Sequence, residues 1–332
     1  MNTFFRTVLG DKPAGEMGVT YAHEHLIIDP CYATQLTPEF LLDDTNACIQ
    51  ELLRLFQIGG RTVVDSMPCD CGRNVRKLAE ASRASGVRIV APTGVHLAKY
   101  YDAGHWSHVY SETDLENLFV ADILNGIDAN DYNGPLVART PHRAGVIKIA
   151  TDRRFTARET RVFVAAAAAH QRTGCPILTH TEQGELALEQ VALLKDHGVA
   201  ARHICLSHTD RKPDVGYHRE ILSLGVAVEF DSSFRWKPGQ GNPTLDLLVS
   251  LLGEFPDQIM LGMDAAKRSY WKSYGGVPGL EFLLGEFSER MKAEGIGADL
   301  LARIFVSTPR QTFCFRTTEN KRLEADLQGL KT

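Results

Sequence analysis

The sequence predicts an α/β protein that folds into a (β/α)₈ barrel. Short apolar runs, each bounded by turn residues, alternate along the chain with segments whose apolar residues recur at helical spacing. Such alternation is typical of parallel strands joined by helices. Eight strand–helix pairs close into a barrel more naturally than they extend an open sheet. In addition, several of the apolar runs end in histidine or aspartate, and the C-terminal ends of barrel strands form the active-site face.

The predicted elements follow one another in regular order. The strands cover residues 17–24, 61–66, 87–93, 144–150, 175–181, 203–209, 225–231 and 258–264. The helices cover residues 43–58, 74–85, 111–125, 156–172, 184–197, 217–223, 244–252 and 277–293, and residues 317–332 form a polar tail or a final helix. No Pro/Gly/Ser linker or block of like charge interrupts this order. Residues 1–332 are therefore predicted to form a single domain.

Composition excludes several classes of partner. The chain has 332 residues, a formal net charge of −5 and no dense Lys/Arg run, so no nucleic-acid partner is expected. Neither an apolar leader segment nor a stretch of membrane-spanning length is present, which predicts a cytoplasmic protein with no membrane partner. The seven cysteines are scattered, and Cys69 and Cys71 are too close for a CxxC pair. They are predicted to be buried, reduced thiols.

Metal-suited residues recur at the predicted strand ends. His23 and His25 end the first strand and, being two residues apart, point to the same face. The other members of the set are Lys148 in the fourth strand, His180 at the end of the fifth, His208 at the end of the sixth and Asp264 at the end of the eighth. Taken singly, each histidine could be a core or loop residue, the lysine could reach water, and the aspartate could cap a helix. Their joint placement favours a metal site at the mouth of the barrel.

The same residues carry a family resemblance. The His-Glu-His of residues 23–25, the lysine of Val-Ile-Lys-Ile, the Thr-His-Thr around His180, the Ser-His-Thr around His208 and the Gly-Met-Asp ending at Asp264 occur in one order along the chain. With that order, the sequence resembles the phosphotriesterase-like branch of the amidohydrolase superfamily over residues 15–315. Members of that branch are (β/α)₈ metalloenzymes. A lone His-x-His is a weak signal, whereas the ordered set is specific.

The resemblance implies a binuclear metal centre. Two divalent ions would be bound, with His23, His25 and Asp264 on the more buried ion and His180 and His208 on the more exposed one. A carbamate on Lys148 and a hydroxide would bridge them, and Asp264 would also act as proton shuttle, so Asp264 and Lys148 are the expected catalytic residues. Zinc suits these ligands best, although manganese, cobalt or iron could also occupy them. Hydroxide generated in this way would attack an ester without a covalent enzyme intermediate.

The substrate is predicted from cations and aromatic residues in the loops at the mouth. The candidate binding residues are Lys99, Tyr100, Arg235, Lys237, Arg268 and Tyr270, with Lys267 beside them. Such a set suits a small anionic substrate, and within the family it resembles the lactonases that open sugar or sugar-phosphate lactones. If the cations are instead solvated, a phosphotriesterase, a phosphodiesterase or another carboxyl-ester or amide hydrolase is the alternative. A binding protein that keeps the barrel without turnover would be expected to lack a metal ligand, and none is missing. A homodimer is also possible by the same resemblance.

Overall fold

The computed structural model describes residues 3–236, 239 and 241–315. Its strands are β1 (Phe4–Thr7), β2 (Gly10–Pro13), β3 (Thr20–Glu24), β4 (Thr62–Asp65), β5 (Arg88–Val90), β6 (Pro92–Gly94), β7 (Val146–Thr151), β8 (Ile177–Thr181), β9 (Ile204–Ser207), β10 (Ala227–Phe230) and β11 (Ile259–Leu261). Each strand from β3 to β11 falls within a predicted strand, except that β6 and β7 extend one residue past its C-terminal end, and β5 and β6 are the two halves of the third. The eight predicted barrel strands are therefore confirmed.

The strands from β3 to β11 form a closed parallel barrel. Strands β3, β4 and β5 pair in sequence, and β6 to β11 continue in the same order. Between the last strand and the first, the amide N–H groups of Met263 and Asp264 donate to the carbonyl of His23 at 3.2 and 3.0 Å. Gly262 is required at this seam, because a Cβ there would lie 2.8 Å from the backbone of His23. The (β/α)₈ barrel is thus confirmed, and its seam joins two predicted site residues.

Helices surround the barrel as the sequence predicts. They are α1 (Tyr32–Leu36), α2 (Thr45–Gln57), α3 (Val75–Ser85), α4 (Glu112–Leu124), α5 (Ala157–Thr173), α6 (Ala187–Asp196), α7 (Val215–Ser223), α8 (Pro243–Leu251), α9 (Ser288–Ala293), α10 (Ala298–Ala302) and α11 (Thr308–Phe313). Several begin at side-chain caps, for example Ser111 on α4 and Thr156 on α5, whose hydroxyls accept the N–H of the third helical residue. Among the described residues, no helix is long and apolar enough to cross a membrane.

The interior of the barrel is filled by one layer of eight inward-facing side chains, which two side chains from the N-terminal segment cover on one side. Each strand contributes a buried side chain to this layer: Ala22, Val64, Val90, Val146, Leu178, Cys205, Ala227 and Met260. Phe5 and Met17 pack against the layer from the N-terminal side. All seven cysteines are buried and free, which confirms the prediction of reduced thiols.

Three parts of the sequence-based assignment differ from the structure. The short helices α1, α10 and α11 were not predicted, because five or six residues are too few to show a helical period. The antiparallel hairpin of β1 and β2 was not predicted, because its strands are only four residues long and mostly polar at β2. The helix predicted at 277–293 is shorter in the structure: a π-helical turn begins at Leu283 and leads directly into α9. Pro278 and Gly279 in the preceding turn do not favour a helix interior. The predicted tail or helix at 317–332 lies outside the described residues.

Candidate metal centre and substrate cavity

The site begins one layer above the apolar interior of the barrel. Side chains two residues apart on a strand share a face, so the positions that follow Val146, Leu178, Cys205 and Ala227 by two residues also point inward. These positions hold Lys148, His180, Ser207 and Glu229, and all four are buried. Along each of these strands, the inward-facing side chain thus changes from apolar in one layer to polar in the next, and the polar layer forms the floor of the site.

Strand β3 brings His23 to this layer through a register shift. Its pairing with β4 is irregular between Tyr21 and Glu24, and His23 Nδ1 lies 3.0 Å from Ser207 Oγ. Glu24 points away and accepts the N–H groups of Met263 and Ala265 at 2.8 and 3.3 Å. The Glu24 carboxylate thereby fixes the backbone on both sides of Asp264.

His23, His25 and Asp264 form the first group of ligand atoms. One nitrogen of each histidine and a carboxylate oxygen of Asp264 all lie within 4.8 Å of one another. Asp264 Oδ1 is 3.0 Å from His25 Nε2 and 3.7 Å from His23 Nε2. This is a two-histidine, one-carboxylate arrangement of the kind that holds divalent metals in hydrolases.

His180 and His208 lie beside that group. The His208 ring centroid is 4.4 Å from that of His180 and 4.8 Å from that of His23. His208 has a left-handed backbone with φ of 66°, and Asp264 does too with φ of 47°. Such conformations cost energy in non-glycine residues and cluster at functional sites. The six residues predicted as metal ligands are therefore brought together at one end of the barrel, with Lys148 at its centre.

Two buried carboxylates hydrogen-bond to the Nδ1 atoms of candidate histidine ligands. Asp231 at the end of β10 forms a short hydrogen bond with His208 Nδ1, and Glu229 Oε2 lies 3.2 Å from His23 Nδ1. With Nδ1 engaged, each of these two histidines presents Nε2 to the cavity. Partners of this kind orient metal-binding imidazoles and raise their basicity.

Burial sets the protonation of the site. It lowers the pKa of His23 and His208 well below the ordinary value, and it lowers the pKa of His180 to about 4. Neighbouring Lys148 adds to this effect for all three. Burial also lowers the pKa of Lys148 to about 8, although Glu229 and Asp264 oppose the change. Neutral imidazoles and a partly neutral amine are the forms that ligate metals and react with carbon dioxide.

The donor set fits divalent cations. Among the described residues, His23 Nε2 and His25 Nδ1 are buried with no hydrogen-bond partner. Burying a polar atom without a hydrogen-bond partner costs free energy. A metal ion that accepts the lone pair of a neutral imidazole nitrogen would remove this cost. Histidine nitrogens, a carboxylate and a buried lysine together match the cofactor that the sequence implies.

Two guanidinium groups hold the far oxygen of Asp264. Asp264 Oδ2 accepts from Arg211 Nη2 at 2.7 Å and from Arg235 Nη2 at 2.9 Å. Burial alone would raise the pKa of Asp264, but Arg235, His25 and Arg211 outweigh it and hold that pKa well below the ordinary range. The carboxylate is therefore anionic, with Oδ1 toward the histidines and Oδ2 toward the arginines.

The ligands share a cavity of about 200 Å³ with part of the predicted substrate set. Tyr100, Arg235 and Tyr270 line this cavity, as does Lys267. Lys99 and Arg268 are not among its lining residues. Lys99 forms an ion pair with Glu182 at 3.0 Å, and Arg268 forms one with Asp43 at 3.0 Å. Lys237 lies outside the described residues.

Two polar residues of the cavity wall, Arg211 and His96, were not assigned a role from the sequence. Arg211 follows His208 by three residues, and this short spacing from a ligand was a usable signal. His96 lies in the loop after β6 and contacts the ring of His180 edge-on, with centroids 5.2 Å apart. Burial, with His180 and Lys148 nearby, lowers the pKa of His96 well below the ordinary value. Its place at the site depends on the loop path, which periodicity does not reveal.

Comparison with known proteins agrees with this geometry. The model of the phosphotriesterase family matches residues 3–313. A phospho-furanose lactonase from Mycoplasmopsis agalactiae is 32% identical over 99% of this chain and 97% of its own length. The structure of an amidohydrolase from Mycoplasma synoviae matches with a TM-score of 0.90 and 29% identity, covering 98% of this chain and 99% of that one. A lactonase from Listeria monocytogenes matches with a TM-score of 0.87 and 29% identity over 95% and 100% of the two chains.

The family match confirms the resemblance carried by the ordered histidine, lysine and aspartate motifs. It spans nearly the whole chain, and the solved structures that match most of it share the barrel fold. This protein belongs to the phosphotriesterase family, whose members are metal-dependent hydrolases that act on ester bonds.

Proposed function

We propose that this enzyme hydrolyses a small lactone that carries an anionic group, such as a phosphorylated sugar lactone. The observation that carries the proposal is a group of three cations on the cavity wall, Lys267, Arg211 and Arg235. Within the described residues, Lys267 has no carboxylate partner and rests over the ring of Tyr270, with Nζ 5.8 Å from its centroid. A phosphate or carboxylate in the cavity would pair with the Lys267 ammonium, and the two guanidinium groups would add positive charge beside it.

The relatives support the same class of substrate. The name of the relative from Mycoplasmopsis agalactiae, phospho-furanose lactonase, describes an anionic ring ester. A cavity of about 200 Å³ suits a single small ring better than a long acyl chain. Tyr100 and Tyr270 border this space, and their rings can pack against the faces of a sugar.

The metal ligands divide into two groups in this proposal. His23, His25 and Asp264 would hold one divalent ion, and His180 and His208 the other, with a carbamate on Lys148 between them. Zinc is the ion proposed. Two such ions, when bound, would lower the pKa of water toward neutrality and polarise the scissile carbonyl. Asp264, kept anionic by Arg211 and Arg235, accepts the proton of the attacking water and passes it toward the leaving oxygen.

Two variants of matched chemistry test the substrate class. Lys267→Met removes a cation from the cavity wall, whereas Lys99→Met removes one that lies outside it. A charge-assisted hydrogen bond contributes roughly 1.5–3 kcal/mol, so Lys267→Met should lower kcat/KM for a phosphorylated lactone by about 10-fold or more. The same change should leave the unphosphorylated lactone nearly unaffected, and Lys99→Met should affect neither.

The outcome that contradicts the proposal is equally clear. Equal losses for charged and uncharged lactones would show that Lys267 does not contact the anionic group. Faster hydrolysis of organophosphate triesters than of any lactone would make the phosphotriesterase alternative the correct one. The cytoplasmic location, the absence of nucleic-acid and membrane partners, and the homodimer remain predictions from the sequence.

A further inference from the structure

The backbone of His96 is held in place by hydrogen bonds to two side chains, those of Tyr101 and Arg158. Its backbone N–H donates to Tyr101 Oη at 2.8 Å. Its carbonyl accepts from Arg158 Nη1 and Nη2, both at 3.1 Å. Tyr101 in turn donates to the carbonyl of Cys69 at 2.9 Å, and Arg158 donates to Ser107 Oγ at 3.0 Å. These hydrogen bonds fix the backbone that carries the imidazole before any substrate arrives.

The ring nitrogens of His96 have different roles. Nδ1 accepts the backbone N–H of Leu97 at 2.7 Å, so Nδ1 carries no proton. The neutral imidazole then carries its proton on Nε2, which is a donor. Within the described residues, no protein group accepts a hydrogen bond from Nε2. His96 lines the cavity, so Nε2 can donate to a bound substrate.

The ring contacts place His96 beside His180 and Tyr100, which line the same cavity. His96 contacts His180 with ring centroids 5.2 Å apart and Tyr100 with centroids 4.6 Å apart, in both cases edge-on. Arg211 and Arg235 are instead engaged with Asp264. The carbon of an ester group carries two oxygens, and in the proposed function the metal ions would polarise the carbonyl oxygen. The ring oxygen, which gains negative charge as the C–O bond breaks, needs a different donor.

We propose that His96 is a further catalytic residue, which donates a hydrogen bond from Nε2 to the leaving oxygen of the substrate. The proposal rests on the proposed lactone hydrolysis. His96 keeps its proton throughout, so the step adds no proton transfer: the bond from the carbonyl carbon to the ring oxygen breaks, and the proton that finally reaches that oxygen comes from the attacking water. The role is stabilisation of developing charge by a preorganised donor.

The dependence of the rate on the leaving group tests this role. An alkoxide leaving group needs the donor, whereas an aryloxide, which is far less basic, does not. His96→Phe should lower kcat for a lactone or alkyl ester by about 10²-fold, as expected for loss of one such donor. The matching aryl ester should lose less than about threefold, because its leaving oxygen requires little stabilisation. His96→Gln, which restores an N–H donor, should recover part of the lost alkyl-ester turnover.

A matched control separates catalysis from structure. His142 is also half-buried and held through Nδ1, which is 2.6 Å from the carbonyl of Val8, but it does not line the cavity. His142→Phe should leave the alkyl-to-aryl ratio unchanged, and metal content should stay that of the wild type in every variant. Equal losses on both esters, no loss on either, or no recovery in His96→Gln would overturn the proposal.

Failure of the lactonase proposal can be distinguished from failure of this one. If the wild type opens no lactone, the same comparison is made with the alkyl and aryl esters that it does hydrolyse. The ratio for His96→Phe then still decides whether His96 contacts the leaving oxygen.

Discussion

Arg211 Nη2 donates to Asp264 Oδ2 across 2.7 Å, while Oδ1 of the same carboxylate faces His25 Nε2 at 3.0 Å. One side of Asp264 thus belongs to the ligand cluster and the other to the cavity wall. Arg211 also reaches Asp231 Oδ1 at 3.1 Å. Asp231 in turn holds His208, so a single guanidinium connects the carboxylates associated with both groups of ligands.

Removing this guanidinium should change the pH dependence of the enzyme. Arg211 is among the groups that hold the pKa of Asp264 well below its usual range. In Arg211→Gln that pKa rises, so activity that requires the carboxylate is lost at a higher pH as the solution is acidified. The acid limb of the kcat profile should therefore move upward.

A surface arginine provides the control for that measurement. Arg219 pairs with Glu254 at 2.9 Å, and both side chains are about half exposed. Arg219→Gln should leave the profile in place. An acid limb that is identical in Arg211→Gln and wild type would show that Arg211 does not set the ionisation of Asp264.

Asp264→Asn should separate metal binding from proton transfer. The amide keeps the shape and one oxygen for a metal ion but cannot accept a proton from water. We expect kcat to fall by about 10²-fold or more, with metal content measured in the same samples. Near-normal turnover at full metal occupancy would remove Asp264 from the proton-transfer role.

Asp231→Asn tests the support behind the ligands. Loss of the carboxylate that holds His208 Nδ1 should weaken metal affinity by about 10- to 100-fold in competition with a chelator. Asp210→Asn is the matched control, because Asp210 is equally buried but accepts from Ser232 and Thr244 rather than from a ligand. Similar affinities for the two variants would mean that Asp231 contributes only to folding.

The sequence was sufficient for the barrel and for the ligand cluster because both depend on strand periodicity. An apolar run predicts a buried strand, and a polar residue at its end falls on the active-site face whatever the loops do. His180 and Asp264 were found in this way. The same reasoning reached Glu24, whose side chain points away from His23 as the alternation requires.

Periodicity could not assign the loop residues. Lys99 and Arg268 were predicted to bind substrate from their charge and their place in the mouth loops. Instead they form ion pairs with Glu182 and Asp43, which are distant in sequence, and they do not line the cavity. Arg211 is directed into the cavity by a short turn after β9. Where a loop side chain points depends on turns and long-range contacts, which a pattern of residue types does not specify.

Lys148 should reduce the stability of the metal-free protein. Its pKa lies at about 8 in the folded state against an ordinary 10.5, so burying the ammonium costs about 3 kcal/mol at 1.36 kcal/mol per pH unit. Below pH 8 this cost is fully present in wild type. Between pH 8 and 10.5 the unfolded state binds more protons than the folded state, so wild-type stability rises with pH.

Urea unfolding of metal-free Lys148→Met and wild type measures this cost. Lys148→Met should be the more stable of the two at pH 7, by up to about 3 kcal/mol, and its advantage should shrink at higher pH. The variant should also fail to bind metal. A lower stability for Lys148→Met at pH 7 would show that the buried amine is compensated in the metal-free state.

The most direct test of the metal centre is a crystal structure of active enzyme grown with zinc and bicarbonate, with diffraction measured at the zinc absorption edge. We predict two anomalous peaks about 3.5–4 Å apart. One peak should lie among His23, His25 and Asp264 and the other beside His180 and His208, with a carboxylate group on Lys148 between them. A single peak in fully active enzyme, or an unmodified Lys148 amine remote from both ions, would contradict the binuclear account.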